Sequence, residues 1–360
     1  HKWVDYVSPP PLQRPAITFD PQTGKLAFPW LRPHLGKRPP FAPNHGGAPW
    51  LEPFRVREDG TRSTESPVPG AQGPWSLCPE NAPRKYFNIH SITLPITLKP
   101  ATPKTAAVVD PIGMIYVLHE EEEEVRKNPK KQVPLVIRGN VHDCVDVIFK
   151  NEIPDDARTG WANKINLHPH FFQFDTSASD GPTIGFSYDM SLRAFTMLED
   201  PQPDKGMPLP GNTTLTADTK AGSRSITVKN SSKFHVNTEL GVGMDDPKYF
   251  EIVRIKDIKG NTITFDAPLK YAHKKNDIAS VEFIRERWYV DADLGTVYWH
   301  DHVFGTDTWG HGLFSAFITE PPRSTYHDPF TGKELRSGPI ADIHTLEPVS
   351  AHIRGSFREV

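Results

Sequence analysis

Leu167-His168-Pro169-His170-Phe171-Phe172 sets two imidazoles one residue apart. In an extended strand successive side chains alternate between faces, so His168 and His170 point the same way. A second pair, His300-Asp301-His302, lies far downstream and follows the same rule, with Asp301 turned to the opposite face and so excluded as a ligand. If the two segments are neighbouring strands, their facing side chains come within roughly 5 Å and four imidazoles converge. Sets of imidazoles suit zinc, copper, iron and nickel, and at equal geometry copper is held most tightly. His168, His170, His300 and His302 are therefore the candidate metal ligands. The remaining histidines, His90 and His119 among them, read as hydrogen-bonded core residues or, as with His235 and His273, stand alone.

The surroundings of both pairs are β-rich. Strands are expected at Arg84–Leu98, Gly113–His119, Val133–Asn140 and Cys144–Asn151, the last with Val145, Val147 and Phe149 alternating on one side. The first pair falls near the middle of an expected strand over Lys164–Phe174. Further strands are expected at Arg285–Ala292, Gly295–Val303, Gly312–Thr319 and Ile353–Val360, with a loop over Arg323–Pro339. Glu120–Glu124 reads as a solvated run that discourages strand association. Between the histidine pairs, residues 204–283 change style to short strands separated by Gly, Asn, Asp and Lys turns, such as Lys259-Gly260-Asn261. This stretch is read as a small inserted β module.

Composition sets the outer bounds. The 360 residues, 37% of them apolar, are enough for two ordinary cores, and 37 prolines with 25 glycines favour strands and irregular chain over long helices. A formal charge of −3 gives no electrostatic reason to expect nucleic acid, and no run of eighteen apolar residues is present to span a membrane. The two cysteines, Cys78 and Cys144, support at most one disulfide and no thiolate-rich metal site. Residues 1–83 form a Pro-rich arm: eleven prolines fall in the first 50 residues, together with Trp3, Trp30 and Trp50. Such a segment is expected to wrap a neighbouring surface.

At this point the motifs resemble a known family. Leu167-His168-Pro169-His170 followed by Asp180-Gly181 is similar to the first copper motif of the multicopper oxidases, laccase among them, and Tyr298-Trp299-His300-Asp301-His302 with Gly310–Ile318 is similar to the second. Pro134-Leu135-Val136-Ile137-Arg138 and Asp143-Cys144-Val145 resemble the strands that precede the first motif. The resemblance covers about residues 84–203 and 284–322, an N-terminal cupredoxin domain interrupted by the insert. It implies a mainly β fold, a cupredoxin-like Greek-key β-sandwich, with residues 323–360 as linker and start of a following cupredoxin domain. It also implies an extracytoplasmic protein.

What the resemblance implies for chemistry is half of a trinuclear copper site that reduces dioxygen to water. His168 would bind the type 2 copper, and His170, His300 and His302 the type 3 pair. Asp180 would relay protons to reduced oxygen. The sequence departs from the family where the other half is concerned: there is no H-C-H and no H-P-x-H-x-H, so the type 1 copper and four further ligands must come from a second cupredoxin-bearing polypeptide or a severed continuation. Pro169 stands where the family more often has an aromatic residue, and Phe171 where it has glycine. Two functions follow, an oxidase component sharing its copper cluster, or a non-catalytic copper-binding or scaffold subunit. A cupin-type metal enzyme fits less well, because no glutamate closely follows either pair.

Overall fold

The structure, a computed structural model, describes residues 81–128, 133–154, 164–172, 192–198, 211–236, 238–246 and 248–345, short pieces at 18–19, 26–27 and 78–79, and the backbone of 346–350 and 353–359. Asp180 and most of the Pro-rich arm lie outside the described residues. Of the arm, Thr18–Phe19 (β1) pairs with Leu26–Ala27 (β2).

Arg84–Thr93 (β3) ends before Pro95, so the single strand expected over Arg84–Leu98 is split into β3 and Ile96–Lys99 (β4). Val108–Asp110 (β5) pairs with β4. Met114–Leu118 (β6) follows, then Val136–Asn140 (β7), Cys144–Asn151 (β8) and His168–Pro169 (β9). Asn212–Thr214 (β10), Ser225–Thr227 (β11), Glu239–Val242 (β12), Glu251–Lys259 (β13), Thr262–Phe265 (β14) and Ile278–Ser280 (β15) make one six-stranded sheet. Then come Phe283–Tyr289 (β16), Thr296–His300 (β17), Phe314–Glu320 (β18), Thr325–His327 (β19), Ala341–Ser350 (β20) and Ile353–Glu359 (β21).

The protein is mainly β, and its centre is a sandwich of two four-stranded sheets, ordered β16-β8-β3-β6 and β7-β18-β17-β9. Non-sequential neighbours and the parallel pairs β3/β8 and β7/β18 give it Greek-key connectivity. The period-two alternation does the packing: Val145, Val147 and Phe149 of β8 and Phe87 and Ile89 of β3 turn inward from one sheet. Ile137, Val297, Trp299 and Phe317 turn inward from the other. Burying a side chain of that size contributes about 1.5–3 kcal/mol, and this shared core is what fixes one sheet against the other.

The six-stranded sheet has its own core, with Leu240, Val242, Val253, Ile255 and Phe265 fully or nearly buried. It packs on the sandwich through Phe195, Met244 and Phe283. Lys150 of β8 is completely buried at this contact, donating to the Met244 carbonyl at 2.8 Å with its Nζ 4.3 Å from the Phe250 ring centre. The chain returns from this sheet into β16, which pairs along its whole length with β8. That return restores the sandwich and carries the chain toward the second histidine pair.

Three local expectations are corrected. Glu120–Glu124 is not a solvated loop: His119–Glu121 forms a 3-10 turn and Glu122–Lys127 a short helix, stabilised by Glu122/Arg126 and Glu123/Lys127 pairs four apart. Arg323–Pro339 is not all loop, since β19 pairs with β20. The strand expected over Lys164–Phe174 is only two residues long among the described residues, and the histidines sit at its end rather than its middle. Pro169 has no N–H to give a ladder and Phe171 adopts φ +64°, so the segment serves only as an edge and turns at once. Cys78 and Cys144 are joined in a disulfide that ties the end of the arm to β8.

Candidate metal centre

The register of one strand pair builds the site. β9 runs antiparallel to β17 so that His168 lies opposite His300 and Pro169 opposite Trp299. Trp299 is wholly buried in the sandwich core, which puts His300 on the outer face of the sheet, with His168 beside it. Beyond the turn at Phe171, Phe172 drops into the core and stacks on Trp288 with ring centres 5.4 Å apart. This anchor holds the end of the first motif while its imidazoles face outward.

All four predicted histidines meet there. Ring centres are 4.9 Å apart for His168 and His170, 5.3 Å for His168 and His300, 4.3 Å for His168 and His302, and 5.0 Å for His170 and His300. Nε2 of His170 and Nε2 of His300 face each other at 2.9 Å, and ligand atoms of His168, His170 and His300 all fall within 4.8 Å of one another. The Asp301 carbonyl accepts from His300 Nδ1 at 2.7 Å, an assignment that leaves the Nε2 lone pair directed at the cluster. Burial pulls the His300 pKa down to about 4, helped by the neighbouring His170 and His302, so the ring is neutral at ordinary pH. Converging imidazole nitrogens are a donor set that a transition metal fits.

The loop between the second pair and β18 is held by groups that sequence spacing did not single out. Asp301 is fully buried, and its Oδ1 accepts from the backbone N–H groups of Asn166 at 3.0 Å and Val303 at 3.2 Å. Its Oδ2 accepts from the Phe304 N–H at 3.0 Å and the Thr308 hydroxyl at 2.7 Å. Burial pushes this carboxyl above its usual range and these hydrogen bonds pull it back. Asn166 in turn accepts from the His302 N–H through Oδ1 at 2.8 Å and from the Tyr116 hydroxyl through its carbonyl at 2.7 Å. The Trp309 indole donates to the Asp301 carbonyl at 2.6 Å. The only cue in the chain was that Asp301 sits between two histidines on the inward side. Asp180, the predicted proton donor, lies outside the described residues.

An aromatic rim surrounds the cluster and stays open to solvent. Tyr298 stacks on His170 at 4.2 Å and is 49% exposed; Phe171 is 73% exposed, and Phe314, paired in register with His300, is 43% exposed. His168, His170 and His302 are themselves only partly buried, whereas His300 is 2% exposed.

A second cluster was missed. His90 and His119, read from sequence as ordinary core histidines, converge with Glu122 on the outer face of the other sheet. The residues lie on a strand, a 3-10 turn and a helix start, so no short spacing announces all three.

Among solved structures the chain is similar to multicopper oxidases. They include the multi-copper oxidase from Pseudomonas Thermotolerans (12% identity, TM-score 0.26), the multicopper oxidase mgLAC (10%, 0.28) and Fet3p, a multicopper oxidase that functions in iron import (12%, 0.26). Each match covers 67% of this chain but 30%, 40% and 24% of those proteins respectively, so the chain spans less than half the length of these three oxidases. No family model and no curated protein matches the chain.

Proposed function

We propose that this chain is a component of a multicopper oxidase and supplies half of a trinuclear copper site, through His168, His170, His300 and His302. The observation that carries the reading is the meeting of two H-x-H pairs across one strand register, with two Nε2 atoms 2.9 Å apart. Copper is the metal of choice for an imidazole-only set, since it stands highest in affinity among the divalent first-row ions. In this assignment His168 takes the type 2 position and His170, His300 and His302 the type 3 positions. The cluster supplies one-electron redox chemistry toward dioxygen when loaded. The chain's own part is to hold the imidazoles in place, with Asp301 and Asn166 fixing the second motif from behind. Asp180 delivers protons.

The remaining ligands and the type 1 copper come from a second cupredoxin-bearing polypeptide or a continuation of this one, which covers the exposed aromatic rim. An extracytoplasmic setting accords with the Cys78–Cys144 disulfide. The boundaries 1–83, 84–203 with 284–322, 204–283 and 323–360 are proposed as arm, cupredoxin domain, insert and the start of a following cupredoxin domain.

Elemental analysis of the purified assembly tests the reading. His300→Ala with His302→Ala should strip copper from the cluster, while Asp180→Asn should keep it and slow oxygen reduction by roughly 10²–10⁴-fold. Full copper retention in the double variant overturns the ligand assignment. Copper loss with no oxygen reduction in the wild-type assembly leaves the alternative, a copper-binding scaffold subunit.

A further inference from the structure

We propose that His90, His119, Glu122 and Glu152 form a second metal site, separate from the paired histidines, that takes a zinc-class divalent cation. His90 projects from β3 onto the sheet face away from the sandwich core and is wholly buried. His119 follows directly on β6, and Glu122 opens the helix three residues later, the spacing that puts two side chains on one helical face. Glu152 follows directly on β8, the strand that pairs with β3.

Ligand atoms of His90, His119 and Glu122 fall within 4.8 Å of one another, and Glu152 approaches His90. His90 Nδ1 lies 2.9 Å from Glu122 Oε2 and 2.8 Å from Glu152 Oε1, and His119 Nδ1 lies 3.7 Å from the same Glu122 oxygen. Around a tetrahedral zinc with bonds of about 2.0–2.1 Å, neighbouring ligand atoms sit about 3.3 Å apart, inside the span of these separations. The two imidazoles lie with ring centres 4.0 Å apart.

Arg126 orients both carboxylates from outside. Its Nε donates to Glu122 Oε1 at 2.7 Å and its Nη2 to Glu152 Oε2 at 3.1 Å, leaving the other oxygen of each aimed at His90. Anchoring the far oxygen of each ligating carboxylate is what an outer shell does at metal sites. Lys150, opposite His90 in register, donates a hydrogen bond to the Met244 carbonyl, and its charge also feels the Glu122 and Glu152 carboxylates.

The second observation is what the cluster leaves unsatisfied. His119 is 8% exposed, and among the described residues neither of its buried ring nitrogens has a hydrogen-bond partner; His90 Nε2 has none either. A plain ion-pair network would satisfy His90 Nδ1 through the two carboxylates yet leave both buried nitrogens of His119 without a hydrogen bond, Nδ1 standing 3.7 Å from Glu122. A cation uses the His119 nitrogen that faces Glu122.

The full chain, freed of metal by chelation and titrated with Zn²⁺ against a chromophoric competitor, tests the site. His300→Ala with His302→Ala should keep one tight zinc equivalent, which separates this proposal from the copper assignment. His119→Phe, which fills the same space without a ligand atom, and Glu122→Gln, at the helix start, should each weaken that equivalent by roughly 100-fold. Zinc should also raise the melting temperature of the wild type and of the His300/His302 double variant, but not of His119→Phe. Equal zinc affinity in wild type, His119→Phe and Glu122→Gln, or no tight equivalent in the double variant, would overturn the site.

Discussion

Asp301 shows how a residue that touches no candidate metal can decide whether one is held. Its two carboxylate oxygens accept four hydrogen bonds from the segments that carry both ends of the histidine cluster. Asp301→Asn is isosteric, but its amide must turn an NH₂ toward one pair of donors and strand them. A buried donor without a partner costs about 1–3 kcal/mol. We expect the variant to fold with lower stability and to bind copper roughly 10–100-fold more weakly, read by competition titration. Unchanged affinity would mean that His300 and His302 are positioned without it. Lys150 makes a second point, about charge. Burial lowers its pKa to about 7, against an unfolded value of roughly 10.4. The unfolded chain therefore binds more protons between those values, so stability rises as pH climbs from about 7 toward 10, and the penalty is complete below 7. Lys150→Met removes that contribution. Its unfolding midpoint in urea should gain on the wild type at about pH 6 and lose that advantage by about pH 10. A pH-independent difference between the two would contradict a deprotonating Lys150.

At the level of elements, the alternation of apolar residues made β8 and the strands on either side of it legible, because a strand buried on one face writes a period of two into its sequence. The pairing of the histidine segments was legible for a related reason: an H-x-H repeat has little other use in a strand. Less visible was anything decided by partners distant in the chain. Pro169 and Phe171 cut the first motif's strand to two residues, a backbone effect that the hydrophobic pattern hides. The acidic run looked solvated because four of its five glutamates have no apolar rhythm to betray the fifth, Glu122, whose partner His90 sits on β3 and which shares Arg126 with Glu152, just beyond β8. Arg138 of β7 is likewise silent in sequence. It is wholly buried, donates to Glu320 of β18 at 2.9 Å, and reaches the carbonyls of Gly338 and Pro339, so it joins three segments. Removing one partner of a buried pair leaves the other charge uncompensated, at a cost of about 3–5 kcal/mol. Glu320→Ala should lower the equilibrium stability by that order, whereas a double replacement of Arg138 and Glu320 by apolar residues should recover much of it. Equal losses in the single and double variants would show that the carbonyl contacts, not the ion pair, hold the junction.

For the whole molecule, the decisive fact is where the cluster sits. His168 and His170 are on the outer face of the sandwich, at a sheet edge, beside aromatic side chains left in water. On the proposed half-site, exposed aromatic residues grouped around its ligands are what one side of a permanent interface presents, and such interfaces bury upwards of roughly 2,000 Å². Phe171 and Phe314 make a direct test because both are exposed in this chain. Asn tolerates the left-handed backbone at position 171, and Ser suits an exposed position on β18. In the isolated chain, Phe171→Asn with Phe314→Ser should therefore change stability by no more than about 0.5 kcal/mol for each substitution. In the copper-loaded assembly the same pair should weaken association by roughly 30-fold or more, the loss expected when central aromatic anchors are removed. Sedimentation of the assembly with copper content read in each fraction measures both. Association and copper retention unchanged by the double variant would move the seam away from the rim, and an isolated chain that held a complete copper set and reduced oxygen would remove the need for a second domain altogether.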